Sequence, residues 1–246
     1  MRVLRAAGRL LAALAHACAG WWTITFTFPG LAQAQRDIRV QVWAAQMLNL
    51  LGIRLVVRGT PPVCGPVLLV ANHISWLDIL VMHAARHCRF VSKAELRHWP
   101  LLGTLATGAG TLYIERESRR DAMRVVHRMA EALRDGDVLA VFPEGTTSDG
   151  TGMLPFHANL LQAALSASAP VQPVALDFMD AATGARSFAA RYIDDDSLVG
   201  SLWRTLTAPP LEVRVHWGEP EAANGRGRRA WAADLRERVA ALREAG

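Results

Sequence analysis

From residue 54 onward, short apolar runs rich in β-formers alternate with stretches of helical spacing, and no segment repeats another. Arg54–Arg58, Pro66–Ala71, Arg89–Ser92, Thr111–Ile114, Val138–Phe142, Val171–Phe178 and Leu211–Trp217 read as strands. Trp76–Arg86, Ser118–Arg134, Ala158–Ala167 and Ala230–Glu244 read as helices. Continuous apolar strands broken by helices predict an α/β fold, with a mixed, largely buried sheet flanked by helices. The segments around Thr183-Gly184 and Asn224–Gly227 read as solvated loops. So does the Asp194–Asp196 run, expected to end a loop and cap a helix rather than bind metal.

Residues 1–52 have a different character. Arg2, Arg5 and Arg9 precede 26 uncharged residues, Leu10 to Gln35. A signal peptide has this order, with Ala32-Gln33-Ala34 as its cleavage site. A membrane anchor has it too, although Thr23, Thr25, Thr27 and Pro29-Gly30 make a poor straight span. Ile38, Val42, Trp43, Met47, Leu50 and Leu51 then follow close to helical spacing, and Trp21, Trp22 and Trp43 suit a membrane–water interface. Two consecutive helices entering one leaflet, or lying along it, fit both halves; ordinary core helices are the alternative. The expected division is residues 1–52 as a membrane-associating element and 53–246 as the catalytic domain.

The charge is distributed the same way. Residues 1–60 hold seven arginines against one acid, Asp37, so the net +5 of the chain is entirely N-terminal. That suits an anionic lipid surface and argues against nucleic acid, which calls for a basic face on the folded body. With 51% hydrophobic residues in 246, global disorder is excluded, and a single long apolar stretch argues against a multi-span protein. Cys18, Cys64 and Cys88 are too scattered for a disulfide framework or a zinc cluster, which fits a reducing compartment.

The densest chemical signal is Asn72-His73-Ile74-Ser75-Trp76-Leu77-Asp78, immediately after the strand ending in VLLVA. Ligands of α/β sheets bind beyond the carboxyl ends of strands. Ser75 and Asp78 form an S-x-x-D capping pattern, which alone accounts for Asp78. The same geometry lets Asp78 point back at His73, fixing its tautomer and leaving the other ring nitrogen as a base. Two further clusters follow later strands. Gly110–Arg116 ends in Arg116, a candidate anion fork, or else a surface ion pair with Glu115 or Glu117. Phe142-Pro143-Glu144-Gly145-Thr146-Thr147-Ser148 offers a carboxylate, hydroxyls and a glycine that admits close backbone approach, or else a simple turn. Ser148, Asp149 and His157 lack a nucleophile elbow. His83 and His87 lack the glutamate of a zinc helix and read as a partly exposed pair. A base without a protein nucleophile implies that a substrate hydroxyl attacks.

These blocks resemble the glycerolipid acyltransferases. NHISWLD matches their N-H-x-x-x-x-D motif, GTLYIER and FPEGT resemble the second and third blocks, and Val171–Leu176 is similar to the fourth. The resemblance covers roughly residues 55–180. It implies His73 as general base oriented by Asp78, and Asn72, Lys93, Arg116, Glu144, Gly145, Thr146 and Thr147 as substrate-binding residues. It implies no metal and no cofactor. The acyl donor is a substrate, an acyl-CoA or acyl-carrier-protein thioester, and the acceptor is a membrane lysolipid. The body then lies on the cytoplasmic side of the cell membrane, held by the N-terminal helices. The expected reaction is acylation of lysophosphatidate to phosphatidate. Phosphatidate-forming members continue the third block with arginine, where this chain has Thr147, so acylation of a non-phosphate lysolipid such as lyso-ornithine lipid is the alternative. On this reading Thr147→Arg maintains or improves lysophosphatidate use. A thioester hydrolase or a non-catalytic lipid-binding protein are more distant alternatives.

Overall fold

The computed structural model describes residues 2–114 and 119–245. Its strands are β1 (Ile53–Arg58), β2 (Val67–Ala71), β3 (Arg89–Lys93), β4 (Leu112–Ile114), β5 (Val138–Val141), β6 (Val171–Asp180) and β7 (Leu211–Trp217). They form one sheet in the order β1-β7-β6-β2-β5-β3-β4. Every neighbouring pair is parallel except β6 and β7, so the sheet is mixed, as the sequence predicts. All residues of β2 and β5 are buried, as expected of central strands covered on both faces.

Among the described residues, eight α-helices flank the sheet: α1 (Arg2–Trp22), α2 (Gln33–Leu51), α3 (Leu77–Ala85), α4 (Leu102–Gly108), α5 (Arg119–Arg134), α6 (Leu161–Ala167), α7 (Leu198–Thr207) and α8 (Arg228–Glu244). Alternation along the strands splits the interior in two. Leu69, Ala71, Ala140 and Leu176 share a core with α1, α2 and α3. Leu68, Val70, Leu139 and Val141 face α5, α6 and α8. A three-layer α/β/α arrangement results.

Residues 1–52 are built into the first of these cores. Ala6, Ala13, Ala17, Ala44, Leu48 and Leu51 are buried together with body residues. The other side of α1 is apolar and exposed, at Leu4, Leu11, Leu14 and Trp22 among others. Arg2–Gly30 is long and apolar enough to cross a membrane, by length and composition. Its C-terminal part is not a regular α-helix. The Thr23 and Thr25 hydroxyls each donate 2.9 Å back to the carbonyl four residues earlier, the backbone widens into a π-turn over Thr23–Thr27, and Pro29 ends the segment.

Three local expectations are corrected. α4 and α7 are helices that the sequence reading leaves unassigned; α4 is only seven residues long, too short to establish a period. A helix does begin after the aspartate run, but Ser197 caps it, accepting from the Gly200 N–H at 3.1 Å, while Asp196 pairs with Arg204. His83 and His87 are buried rather than partly exposed. α2 crosses α3 above them, and His87 Nε2 lies 3.2 Å from Asp37 of α2.

Candidate active site

Strands β2, β5, β3 and β4 are consecutive neighbours and run parallel, so their carboxyl ends share one edge. The Asn72–Asp78 segment leaves β2 there, Phe142–Ser148 leaves β5, and Lys93 ends β3. Arg116 lies outside the described residues, two positions beyond the end of β4.

His73 stands at the centre of this edge. Its Nδ1 is 2.8 Å from Asp78 Oδ2. The same oxygen accepts the backbone N–H groups of Ile74 and Ser75, at 2.7 and 2.9 Å. Ser75 Oγ accepts from the Leu77 N–H at 3.2 Å, completing the turn into α3. The imidazole stacks on Phe142, with centroids 4.0 Å apart and planes 4° from parallel, and Phe142 in turn stacks on Phe90. The side chain is 17% exposed, and Nε2 has no partner among the described residues. A carboxylate on Nδ1 keeps the proton there and leaves the Nε2 lone pair free, the arrangement a general base requires.

The backbone of His73 is held as firmly as its ring. Its N–H donates to Glu144 Oε1 at 2.7 Å, and its carbonyl accepts from both the N–H and the hydroxyl of Ser148. Glu144 Oε2 accepts the Leu154 N–H at 2.7 Å. Burial pushes the Glu144 carboxyl above the ordinary carboxylate range, and these two amides pull it part of the way back. Both oxygens of Glu144 are therefore occupied by backbone donors.

Asn72 is 1% exposed, and its amide group brackets Leu176 of β6, donating to the carbonyl at 2.9 Å and accepting from the N–H at 2.8 Å. The Thr147 hydroxyl donates to the Tyr192 carbonyl. Asn72, Glu144 and Thr147, expected to bind substrate, thus have these polar atoms engaged within the protein. Gly145, Thr146 and Lys93 are exposed along the edge. Gly145 has φ +76°, and a Cβ there would meet His157 Cδ2 at 2.8 Å, so the turn requires glycine. Sequence reasoning missed the role of Phe142 and the grip of Ser148 on His73. Pairing of Val70 with Val141 sets both residues beside His73, and only strand order reveals that.

Residues 54–177 match the family described as Acyltransferase. The chain belongs to the acyltransferase family. It is 37% identical over 242 residues to a lyso-ornithine lipid O-acyltransferase of Pseudomonas aeruginosa, covering 97% of this chain and 92% of that protein. It is 43% identical over 149 residues to a 1-acyl-sn-glycerol-3-phosphate acyltransferase of Neisseria meningitidis serogroup B, covering 61% of this chain and 58% of that one. The crystal structure of the 1-acyl-sn-glycerophosphate acyltransferase from Thermotoga maritima has the same fold, with a TM-score of 0.64 at 22% identity over 96% of this chain and 97% of the other. In this acyltransferase the segments that follow the adjacent strands β2 and β5 meet at His73.

Proposed function

We propose that this acyltransferase moves a fatty acyl chain from an acyl thioester to the free hydroxyl of a lysolipid, with His73 as general base. Nε2 takes the hydroxyl proton as the oxygen attacks the thioester carbonyl. The C–O bond forms, the C–S bond breaks, and the proton passes to the departing thiolate. Asp78 holds the tautomer and stabilises the transient imidazolium. The observation that carries this reading is a His73 whose Nε2 has no partner among the described residues, its ring held by Asp78 and Phe142 and its backbone N–H by Glu144. Asn72, Glu144 and Thr147 position the site, while Lys93, Arg116, Gly145 and Thr146 supply the surface for the substrates.

Lyso-ornithine lipid is the acceptor we favour. The end-to-end match with the Pseudomonas aeruginosa protein supports it, as does the neutral Thr147 where a phosphate-binding arginine is expected. Lysophosphatidate is the second reading, supported by the higher identity of the core to the Neisseria protein. The exposed apolar side of α1 and its arginines support residues 1–52 as the membrane-associating element and 53–246 as the catalytic body. CoA and acyl-carrier-protein thioesters are cytosolic, which sets the body on the cytoplasmic side.

The test is an assay of purified protein with both lysolipids, each with acyl-CoA and with acyl-carrier protein, read by product mass. Diacylated ornithine lipid is expected. Free fatty acid as the sole product refutes transfer, and turnover confined to lysophosphatidate refutes the choice of acceptor.

A further inference from the structure

The family match ends at residue 177, yet a chain of hydrogen bonds reaches the site from α8, 66 residues further on. Arg243, in the last turn of α8, is buried. Its Nε and Nη2 bind Asp177 of β6, the latter at 2.9 Å. The remaining donors point at backbone: Nη2 to the Gly150 carbonyl at 2.7 Å and Nη1 to the Gly152 carbonyl at 3.1 Å. Two turns earlier on α8, Arg236 donates to the carbonyls of Met153 and Leu154. This loop, fixed at four carbonyls, presents the Leu154 N–H to Glu144 Oε2, and Glu144 Oε1 receives the N–H of His73.

Asp177 also follows Leu176, whose backbone brackets Asn72. Successive residues of β6 face opposite sides of the sheet. One strand therefore braces the site twice: Leu176 holds the residue before His73, and Asp177 holds the arginine that fixes the loop behind Glu144.

A buried ion pair is weak evidence of stabilisation, since desolvating both charges offsets much of their attraction. The guanidinium fork matters here for geometry. It spans a carboxylate and two carbonyls at once, which a lysine ammonium on a flexible stem does not reproduce.

We propose that Arg243, oriented by Asp177, is a positioning residue: it fixes the 150–154 loop so that Leu154 holds Glu144 and Glu144 holds His73. The proposal rests on His73 being the base. Loosening the loop shifts His73 relative to the reacting atoms, and misplacement of about 1 Å costs roughly 100-fold in rate.

The test compares three full-length variants with the wild type. Arg243→Lys keeps a charge on Asp177 but loses the fork. Asp177→Leu combined with Arg243→Met removes both buried charges; Arg186, which also pairs with Asp177 at 3.2 Å, is exposed, so no lone buried charge is left to unfold the chain. Arg238→Ala, on the same helix, removes a half-exposed guanidinium from Glu221, a carboxylate that Arg226 also holds, and touches no part of the loop. Steady-state kinetics on the lysolipid and amide hydrogen exchange at Leu154 and His73 are read for each. The first two variants are expected to lose roughly 10- to 100-fold in kcat with KM little changed, and to exchange faster at both amides. Arg238→Ala is expected to match the wild type. Equal kcat in all folded variants overturns the proposal, and so does a kcat loss without faster exchange at Leu154 and His73. If the wild type transfers no acyl chain, the base reading fails, and exchange at the two amides alone decides whether Arg243 positions them.

Discussion

Asp78 Oδ2 stands 2.8 Å from His73 Nδ1 while it closes the turn that leads into α3, accepting the N–H groups of Ile74 and Ser75. One oxygen thus serves both this turn and the imidazole, and Asp78 Oδ1 is buried without a hydrogen-bond partner among the described residues. Structural and chemical roles cannot be separated by position, only by what each removal changes.

Asp78→Asn is expected to reduce both stability and rate. A neutral amide oxygen caps less well, at a cost of about 1 kcal/mol, and no longer stabilises an imidazolium. Thermal unfolding and kcat, measured on the same preparation, check this. Lost stability with full kcat would reduce Asp78 to a cap.

His73→Ala is expected to lower acyl transfer by about 10²–10⁴-fold. The ring is mostly buried, and roughly 1 kcal/mol is lost from the stack on Phe142, but the fold is retained because Glu144 and Ser148 hold the His73 backbone rather than its ring. Near-normal turnover would sink the base assignment.

The parts of the site that were legible in sequence are the local ones. His73 and Asp78 lie five residues apart within one helix start, and the capping pattern announces their geometry. The strand-ending blocks were legible because buried parallel strands read as unbroken apolar runs. The missed contacts join distant segments. Asn72 meets Leu176 across 104 residues, Thr147 meets Tyr192 across 45, and Phe142 meets His73 only because β2 and β5 are neighbours. The burial of His83 and His87 likewise depends on where α2 lies, which spacing within α3 cannot reveal.

Membrane binding is best tested without deleting α1 and α2. Removing residues 1–50 would strip buried residues such as Ala44 and Leu48 from the core and expose what they cover. Replacing Trp21, Trp22 and Phe26 with serine instead removes exposed aromatics only. Co-sedimentation with vesicles containing anionic lipid is expected to fall, with unchanged unfolding behaviour. Undiminished binding would refute α1 as the membrane contact.

His83 makes a distinct pH prediction. Burial, followed by the charge of nearby His87, lowers its pKa from 6.5 to about 3. The unfolded chain then binds the proton more readily, so the contribution of neutral His83 is full above pH 6.5 and declines as pH falls toward 3. The slope for one such group is at most about 1.4 kcal/mol per pH unit. His83→Phe keeps an aromatic ring against Phe90 and removes the titration. Denaturant unfolding at about pH 7 and about pH 5 should show a smaller loss in the variant than in the wild type. Equal losses would show that His83 does not titrate as its surroundings dictate.

The sequence alone leads one to expect that Thr147→Arg maintains or improves lysophosphatidate use. The hydrogen bonds around Thr147 argue for the opposite outcome. The Thr147 hydroxyl donates to the Tyr192 carbonyl, and the Tyr192 N–H donates to the carbonyl of Ile74, one residue from His73. Thr147 therefore anchors a segment that grips the loop of His73. An arginine at this position loses the hydroxyl and places a longer side chain against that segment. Thr147→Arg should lower transfer to lyso-ornithine lipid without a gain on lysophosphatidate. Thr147→Ser, which keeps the hydroxyl, should stay close to the wild type. Thr147→Val, which keeps the shape and loses the donor, should fall between them, because the Tyr192 carbonyl is left without that hydrogen bond. Assaying all three on both acceptors decides the matter. Increased lysophosphatidate turnover by Thr147→Arg would restore the phosphate-fork reading of this position, and with it lysophosphatidate as the acceptor that the site can be built to take.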